Sequence, residues 1–391
     1  MENFEFLCPT KVIFGKDSEQ KAGTEVKKYS NKVLLHYGKG SVIATGLFDK
    51  IAKSLEEAGV DYIPFGGALP NPRLSLVNEG INICRENKIG FILAVGGGSV
   101  IDSAKAIAVG APYDGDVWDF FLEKTSPEEA IPLGAVLTLA GTGSEVSWST
   151  VITNEQTNLK RHLDHNLIIP KFAIMNPDLT MTLPAYQTAC GITDIMAHTM
   201  ERYFTQVKDV EFTDRLCEAT LKTLINVADV IMKEPDNYAA RAEIMWAGSI
   251  AHNNLLGTGR IGDWASHMIE HEISAINDIA HGAGLAIIFP AWMKYVYKYN
   301  IDRFVQYAVR VWGVEESFGN PEKTINRAIM KQISFYKSLG LPVSLNEVGI
   351  SRSEFENIAE KCRKFDQVNE TVGNFVKLTK EDIVNILELA F

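Results

Sequence analysis

The sequence predicts an α/β domain followed by an all-helical one. Three observations carry this: apolar strand-like runs alternate with helical patterns in the first part of the chain, strand signals stop near Pro184, and 3.6-residue periodicity dominates beyond it. At 391 residues the chain is too long for one ordinary core. The change of pattern divides it into residues 1–183 and 184–391. No repeat or low-complexity linker intervenes, so two intimately packed domains are expected.

Taken in order, Lys32–Tyr37 reads as a strand, Gly38-Lys39-Gly40-Ser41 as its turn, and a helix follows to about Ala58. Asp61–Phe65 reads as a second strand weakened by Pro64. Phe91–Val95 is a short apolar run ending in Gly96-Gly97-Gly98-Ser99 before a helical segment, and Pro132–Leu139 and Phe172–Met175 are further buried-strand candidates. Strands alternating with helices imply a parallel sheet covered on both faces. Beyond the boundary, Pro184 suits the first position of a helix, with Thr182 near enough to cap it. Later helices are expected over Thr213–Lys233, Tyr238–Leu255, Arg303–Trp312 and Lys380–Leu389.

Hydrophobic residues at 46% and charged residues at 22% describe an ordinary globular chain. A net charge of −11 argues against a nucleic-acid partner. The acidic Met1–Glu5 segment does not resemble a secretory signal, and the longest apolar candidate, Gly282–Trp292, is interrupted by Pro290. Five widely spaced cysteines with no CxxC pair fit reduced thiols in a cytoplasmic protein.

Two loops suit a dinucleotide. Gly96-Gly97-Gly98-Ser99 lies between strand and helix, where backbone N–H groups and the helix dipole favour a pyrophosphate. It is not G-x-G-x-x-G, and a plain tight turn is the alternative. Thr138–Glu145 offers hydroxyls and backbone donors after another apolar run, or simply caps a helix. The turn after the first strand holds Lys39 and Ser41 and no carboxylate, which favours the 2′-phosphate of NADP(H) over NAD(H).

The helical half carries two pairs of residues four apart, Asp194/His198 and His267/His271, followed by His281. On a helix each pair shares a face. A carboxylate with imidazoles and no thiolate suits Fe²⁺ or Zn²⁺, which would polarise a carbonyl or stabilise an alkoxide. His36, His162, His165 and His252 read as ordinary packing or surface residues. Trp148, Trp264 and Phe289 are either pocket wall or core.

These pieces, with Pro70-Asn71-Pro72, Gly96 through Lys105, Thr142-Gly143-Ser144-Glu145 and His267 through Pro290, resemble the iron-containing (group III) alcohol dehydrogenases over nearly the full length. The resemblance is to the butanol-dehydrogenase-like and aldehyde reductase branch. It implies a Rossmann-like dinucleotide-binding domain followed by an all-α metal-binding domain, the dehydroquinate synthase-like architecture. It implies metal ligands Asp194, His198, His267 and His281, with His271 relaying a proton or orienting substrate. Coenzyme contacts would fall on Gly38, Ser41, Asn71, Gly97, Gly98, Ser99, Asp102, Thr138, Thr142, Lys160, Leu179 and Thr182. Implied too are a small alcohol or aldehyde substrate of the butanol/butyraldehyde kind and a homodimer or larger assembly. Asn176-Pro177-Asp178 and Arg161–His165 depart from the family pattern near the expected nicotinamide end.

Other members of that superfamily, such as glycerol dehydrogenase or a dehydroquinate synthase-like lyase, share the fold without the chemistry. From another class, His267-Met268-Ile269-Glu270-His271 matches the H-x-x-E-H zinc-peptidase motif. The peptidase needs Glu270 as general base; the dehydrogenase reading needs Asp194 and expects Glu270 to be dispensable.

Overall fold

The structure, a computed structural model, describes residues 1–363 and 370–391. They form two compact units, one of Leu7–Leu183 with Asp236–Ser249, the other of Met1–Phe6, Pro184–Pro235 and Ile250–Phe391.

The first unit contains β1 (Lys11–Phe14), β2 (Lys32–Gly38), β3 (Asp61–Ala68), β4 (Phe91–Gly96), β5 (Leu133–Leu137), β6 (Ser149–Asn154), β7 (Leu159–Asp164) and β8 (Phe172–Met175). Its helices are α1 (Ala22–Lys27), α2 (Ser41–Ala44), α3 (Leu47–Glu57), α4 (Leu74–Asn87), α5 (Gly98–Gly110) and α6 (Trp118–Phe121). Six strands form one sheet in the order β1-β8-β5-β4-β2-β3, and every neighbouring pair is parallel. Alternate residues serve opposite faces. Leu34, Ile92, Ala94 and Leu137 pack with Val77 and Ile81 of α4 and Ile101 and Ile107 of α5. Val33, Leu35, Leu93 and Val95 pack with Val26 of α1 and Ile51 and Leu55 of α3. Burial on both faces is why these strands read as continuous apolar runs.

Pro64 is tolerated because β3 is an edge strand, where a missing N–H costs least. Three strands were not expected from the sequence: β1, only four residues long, and the antiparallel β6–β7 hairpin. The hairpin segments, Ser-Thr-Val-Ile-Thr-Asn and Leu-Lys-Arg-His-Leu-Asp, are too polar to signal a core strand.

The second unit is built from α7 (Ala185–Tyr203), α8 (Glu211–Lys233), the end of α9 (Tyr238–His252), α10 (Ala265–Asn277), α11 (His281–Val296), α12 (Ile301–Arg310), α13 (Pro321–Ser338), α14 (Phe355–Arg363) and α15 (Lys380–Leu389). Most of α9 belongs to the first unit, whose core receives Met245. Pro184 is the residue before α7 rather than its first helical residue: its ψ of 145° is extended, and no side chain caps the helix there. Thr182 is exposed instead of capping. Pro290 interrupts the apolar run but not α11, which continues to Val296. Among the described residues no helix is long and apolar enough to cross a membrane.

Candidate active site

The helical unit brings the predicted ligands together. Asp194 and His198 project from one face of α7, His267 and His271 come from α10, and His281 is the first residue of α11. A Cβ at Gly282 would overlap the Cys190 carbonyl oxygen, so only glycine lets α11 approach the α7 backbone this closely. That approach carries His281 to Asp194, one turn beyond Cys190. Around Asp194 Oδ1 stand His198 Nδ1 at 3.6 Å, His281 Nε2 at 3.7 Å and His267 Nε2 at 3.9 Å. These separations are too long for hydrogen bonds. They approach the roughly 3.4 Å expected between two donors bound at about 2.1 Å to one tetrahedral ion.

Asp194, His267 and His281 each offer an atom within 4.8 Å of the other two, while His198 completes the group through Asp194 and by stacking on His267 at 4.8 Å between ring centroids. His198 is held from behind, since Arg202 Nη1 donates to its carbonyl at 2.9 Å. Burial, reinforced by His252 and His267, keeps its imidazole well below the ordinary histidine range, hence neutral and able to bind a metal. The donor set of one carboxylate and imidazoles fits Fe²⁺ or Zn²⁺. His271 lies beside His281, ring centroids 5.4 Å apart, and groups with Glu270 and His281 rather than with Asp194.

Three residues absent from the expected site contact its expected ligands. Glu201 Oε1 accepts from His267 Nδ1 at 2.8 Å, and Glu270 Oε2 bonds His281 Nδ1. Glu270, expected to be dispensable, contacts an expected ligand. His252, expected to be ordinary, lies with its ring 4.3 Å from that of His198. A signal for Glu201 existed: it stands seven residues after Asp194, on the same face of α7. Of the proposed pocket wall, Trp264 borders the cluster, 5.3 Å from His267, whereas Phe289 is fully buried against Phe204 and Trp292.

In the α/β unit the expected coenzyme residues gather at one edge of the sheet. Gly38 and Ser41 follow β2, Asn71 follows β3, Gly97, Gly98, Ser99 and Asp102 follow β4, Thr138 and Thr142 follow β5, and Leu179 and Thr182 follow β8. Parallel strands put all these carboxyl ends together. The connection from β2 runs outward to β3 while β4 returns on the other side of β2, which makes the β2/β4 crevice a topological switch point. Lys160 differs, lying buried on the β7 arm of the hairpin. A Cβ at Gly98 would overlap Thr142, so the two glycine-bearing loops touch directly. The first amides of α5 point past its end.

Asp102 is tied into the fold. Its carboxylate accepts from Ser144 Oγ at 2.6 Å and Val151 N at 3.3 Å, and burial pushes it up to about 6. Lys105 is fully buried and donates to Ser147 O at 2.9 Å, Ser147 Oγ at 3.2 Å and Ser149 O at 2.7 Å. His36 is a packed core histidine, bonded to Phe65 O at 2.9 Å and to Ser103 Oγ. Of the departing segments, Asn176 donates to Glu19 at 2.9 Å and caps Asp178 N at 3.1 Å, and Arg161 donates to Lys160 O at 2.8 Å.

Comparison with known proteins gives this arrangement a context. Residues 9–177 match the iron-containing alcohol dehydrogenase family, and residues 188–391 match the C-terminal region of the same family. Probable NADH-dependent butanol dehydrogenase 1 of Bacillus subtilis is 44% identical over 388 residues, 99% of each chain. The NADPH-dependent aldehyde reductase YqhD of Escherichia coli is 37% identical, over 93% of this chain and 94% of its own. The crystal structure of NADH-dependent butanol dehydrogenase A from Thermotoga maritima superposes with a TM-score of 0.96 at 40% identity, covering 100% of this chain and 99% of that one. Fold and similarity agree: the chain belongs to the iron-containing alcohol dehydrogenase family and is an NAD(P)-linked alcohol and aldehyde oxidoreductase.

Proposed function

We propose that this enzyme interconverts short-chain aldehydes and primary alcohols of the butyraldehyde/butanol kind, with Fe²⁺ or Zn²⁺ held by Asp194, His198, His267 and His281. The observation that carries the proposal is the convergence of three imidazoles from three helices on one buried carboxylate at 3.6–3.9 Å. A divalent cation in that donor set supplies Lewis acidity toward a carbonyl or alkoxide oxygen. His271, one residue from Glu270 and beside His281, relays the proton that accompanies hydride transfer.

Residues 1–183 carry the coenzyme and 184–391 the metal. Gly97, Gly98, Ser99 and the α5 amides receive the pyrophosphate; Asn71, Thr138, Thr142, Lys160, Leu179 and Thr182 contact the rest of the coenzyme. Asp102 acts mainly by holding the Ser144 loop to α5. Gly38, exposed Lys39 and Ser41 form a turn without a carboxylate, which favours NADP(H). A second reading, NAD(H), is supported by the Bacillus subtilis and Clostridium acetobutylicum relatives, which are NADH-dependent by name. The expected setting is a cytoplasmic homodimer or larger homo-oligomer.

The test is metal analysis of the purified protein combined with an aldehyde panel run with both reduced coenzymes. One Fe²⁺ or Zn²⁺ per chain and turnover of short aldehydes are expected, with the higher kcat/KM for NADPH. A clear NADH preference would overturn the coenzyme choice; absence of metal-dependent turnover would overturn the reaction.

A further inference from the structure

We propose that Glu201 and Glu270 are positioning residues that cross-brace the three ligand helices. Each carboxylate sits on a different helix from the histidine it orients. Glu201, on α7, reaches His267 on α10; Glu270, on α10, reaches His281 on α11. Each bonds the Nδ1 of its histidine, and both Nε2 atoms turn toward Asp194. A carboxylate on Nδ1 fixes the tautomer that leaves Nε2 free of a proton, which is the form a cation needs.

Each brace is itself anchored. Glu201 is fully buried and also accepts from Trp264 N at 2.6 Å and His267 N at 3.1 Å, so it ties the start of α10 as well as the ring. Trp264 occupies this position with φ at +70°, a left-handed conformation unusual for a bulky residue. Glu270 is fully buried too, and its other oxygen accepts from the Ser274 hydroxyl of its own helix. A Cβ at Gly284 would overlap the Glu270 side chain, so α11 closes over this brace from the other side. The braces follow the chain order α7 to α10 to α11. They make the geometry of the ligand set a property of the folded chain before any ion binds.

This inference rests on the metal-site reading above, and its test separates the two. Glu270→Gln, Glu270→Ala and Glu201→Gln are compared with the wild type. Imidazole ¹⁵N shifts of the metal-free proteins report the tautomers of His267 and His281; competition with a chelator reports Zn²⁺ affinity. Glu270→Ala should shift the His281 tautomer toward Nε2–H and weaken Zn²⁺ binding about 10–100-fold. Glu270→Gln, which keeps an acceptor oxygen, should recover part of both. Glu201→Gln should change His267 alone and lower the melting temperature of the metal-free protein, because it also loosens the α10 terminus. Unchanged tautomers in every variant would overturn the proposal. A wild type with ordered tautomers but no Zn²⁺ or Fe²⁺ affinity would sink the metal reading and leave the braces standing.

Discussion

Both units bury titratable side chains, and those beside the glycine turn are surrounded differently from those of the histidine cluster. In the α/β unit three of them have dedicated partners: Asp102 has Ser144 and Val151, Lys105 has three oxygens, and His36 has Phe65 and Ser103. In the helical unit Asp194 Oδ1 and three imidazole nitrogens face one another at 3.6–3.9 Å, and the carboxylates that hydrogen-bond two of the rings, Glu201 and Glu270, stand on their far sides. Buried charge matched by local partners holds architecture together. Buried donor atoms aimed at a common point are the arrangement the proposed ion requires. Burial alone does not tell these cases apart; the direction of the polar atoms does.

The largest expected effect breaks the helical side of the contrast. Asp194→Ala should remove bound metal and lower kcat by about 10³-fold or more. The melting temperature of the metal-free protein should barely change, because the substitution relieves a crowded polar cluster. Retained metal, measured by elemental analysis, would refute the shared-ion geometry.

Lys105→Met tests the other side. It leaves the Ser147 and Ser149 carbonyls without their buried donor, and a stability loss of about 3 kcal/mol is expected from urea unfolding. Metal content should stay at the wild-type level; a fall in metal without a fall in stability would reverse the roles assigned to the two clusters.

His36 supplies a pH-dependent comparison. Burial lowers its pKa from 6.5 to about 4. Between those values the unfolded chain binds the proton and the folded chain does not, so stability falls as pH falls through this window. The loss approaches roughly 3 kcal/mol near pH 4. His36→Gln should flatten that part of the urea-midpoint profile, and an unaltered slope would show that another group is responsible.

The smallest effect sharpens the boundary of the site. His271→Ala should lower kcat about 10²-fold while metal content is maintained, as expected for loss of a proton relay. Loss of metal in this variant would make His271 a ligand, with Glu270 and His281 as its neighbours.

Much of this was legible in the linear chain. Strands buried on both faces announce themselves as apolar runs, which is why β2, β4, β5 and β8 were readable and the polar β6–β7 hairpin was not. The i, i+4 pairs in α7 and α10 marked the faces that converge because helical spacing is local. Glu201 shared the Asp194 face and was overlooked, since glutamates on helices are common and its partner lies 66 residues away.

The sequence by itself determined the two-part architecture, the glycine turn after β4 and the two i, i+4 pairs of the candidate site, because periodicity and motif spacing are short-range properties. Only the tertiary structure decided which donors converge, that Glu201 and Glu270 stand behind His267 and His281, and that Asp102 is occupied by its own fold. Those outcomes depend on helix crossings such as Gly282 against Cys190, where residues remote in sequence meet and the absence of one side chain sets the distance.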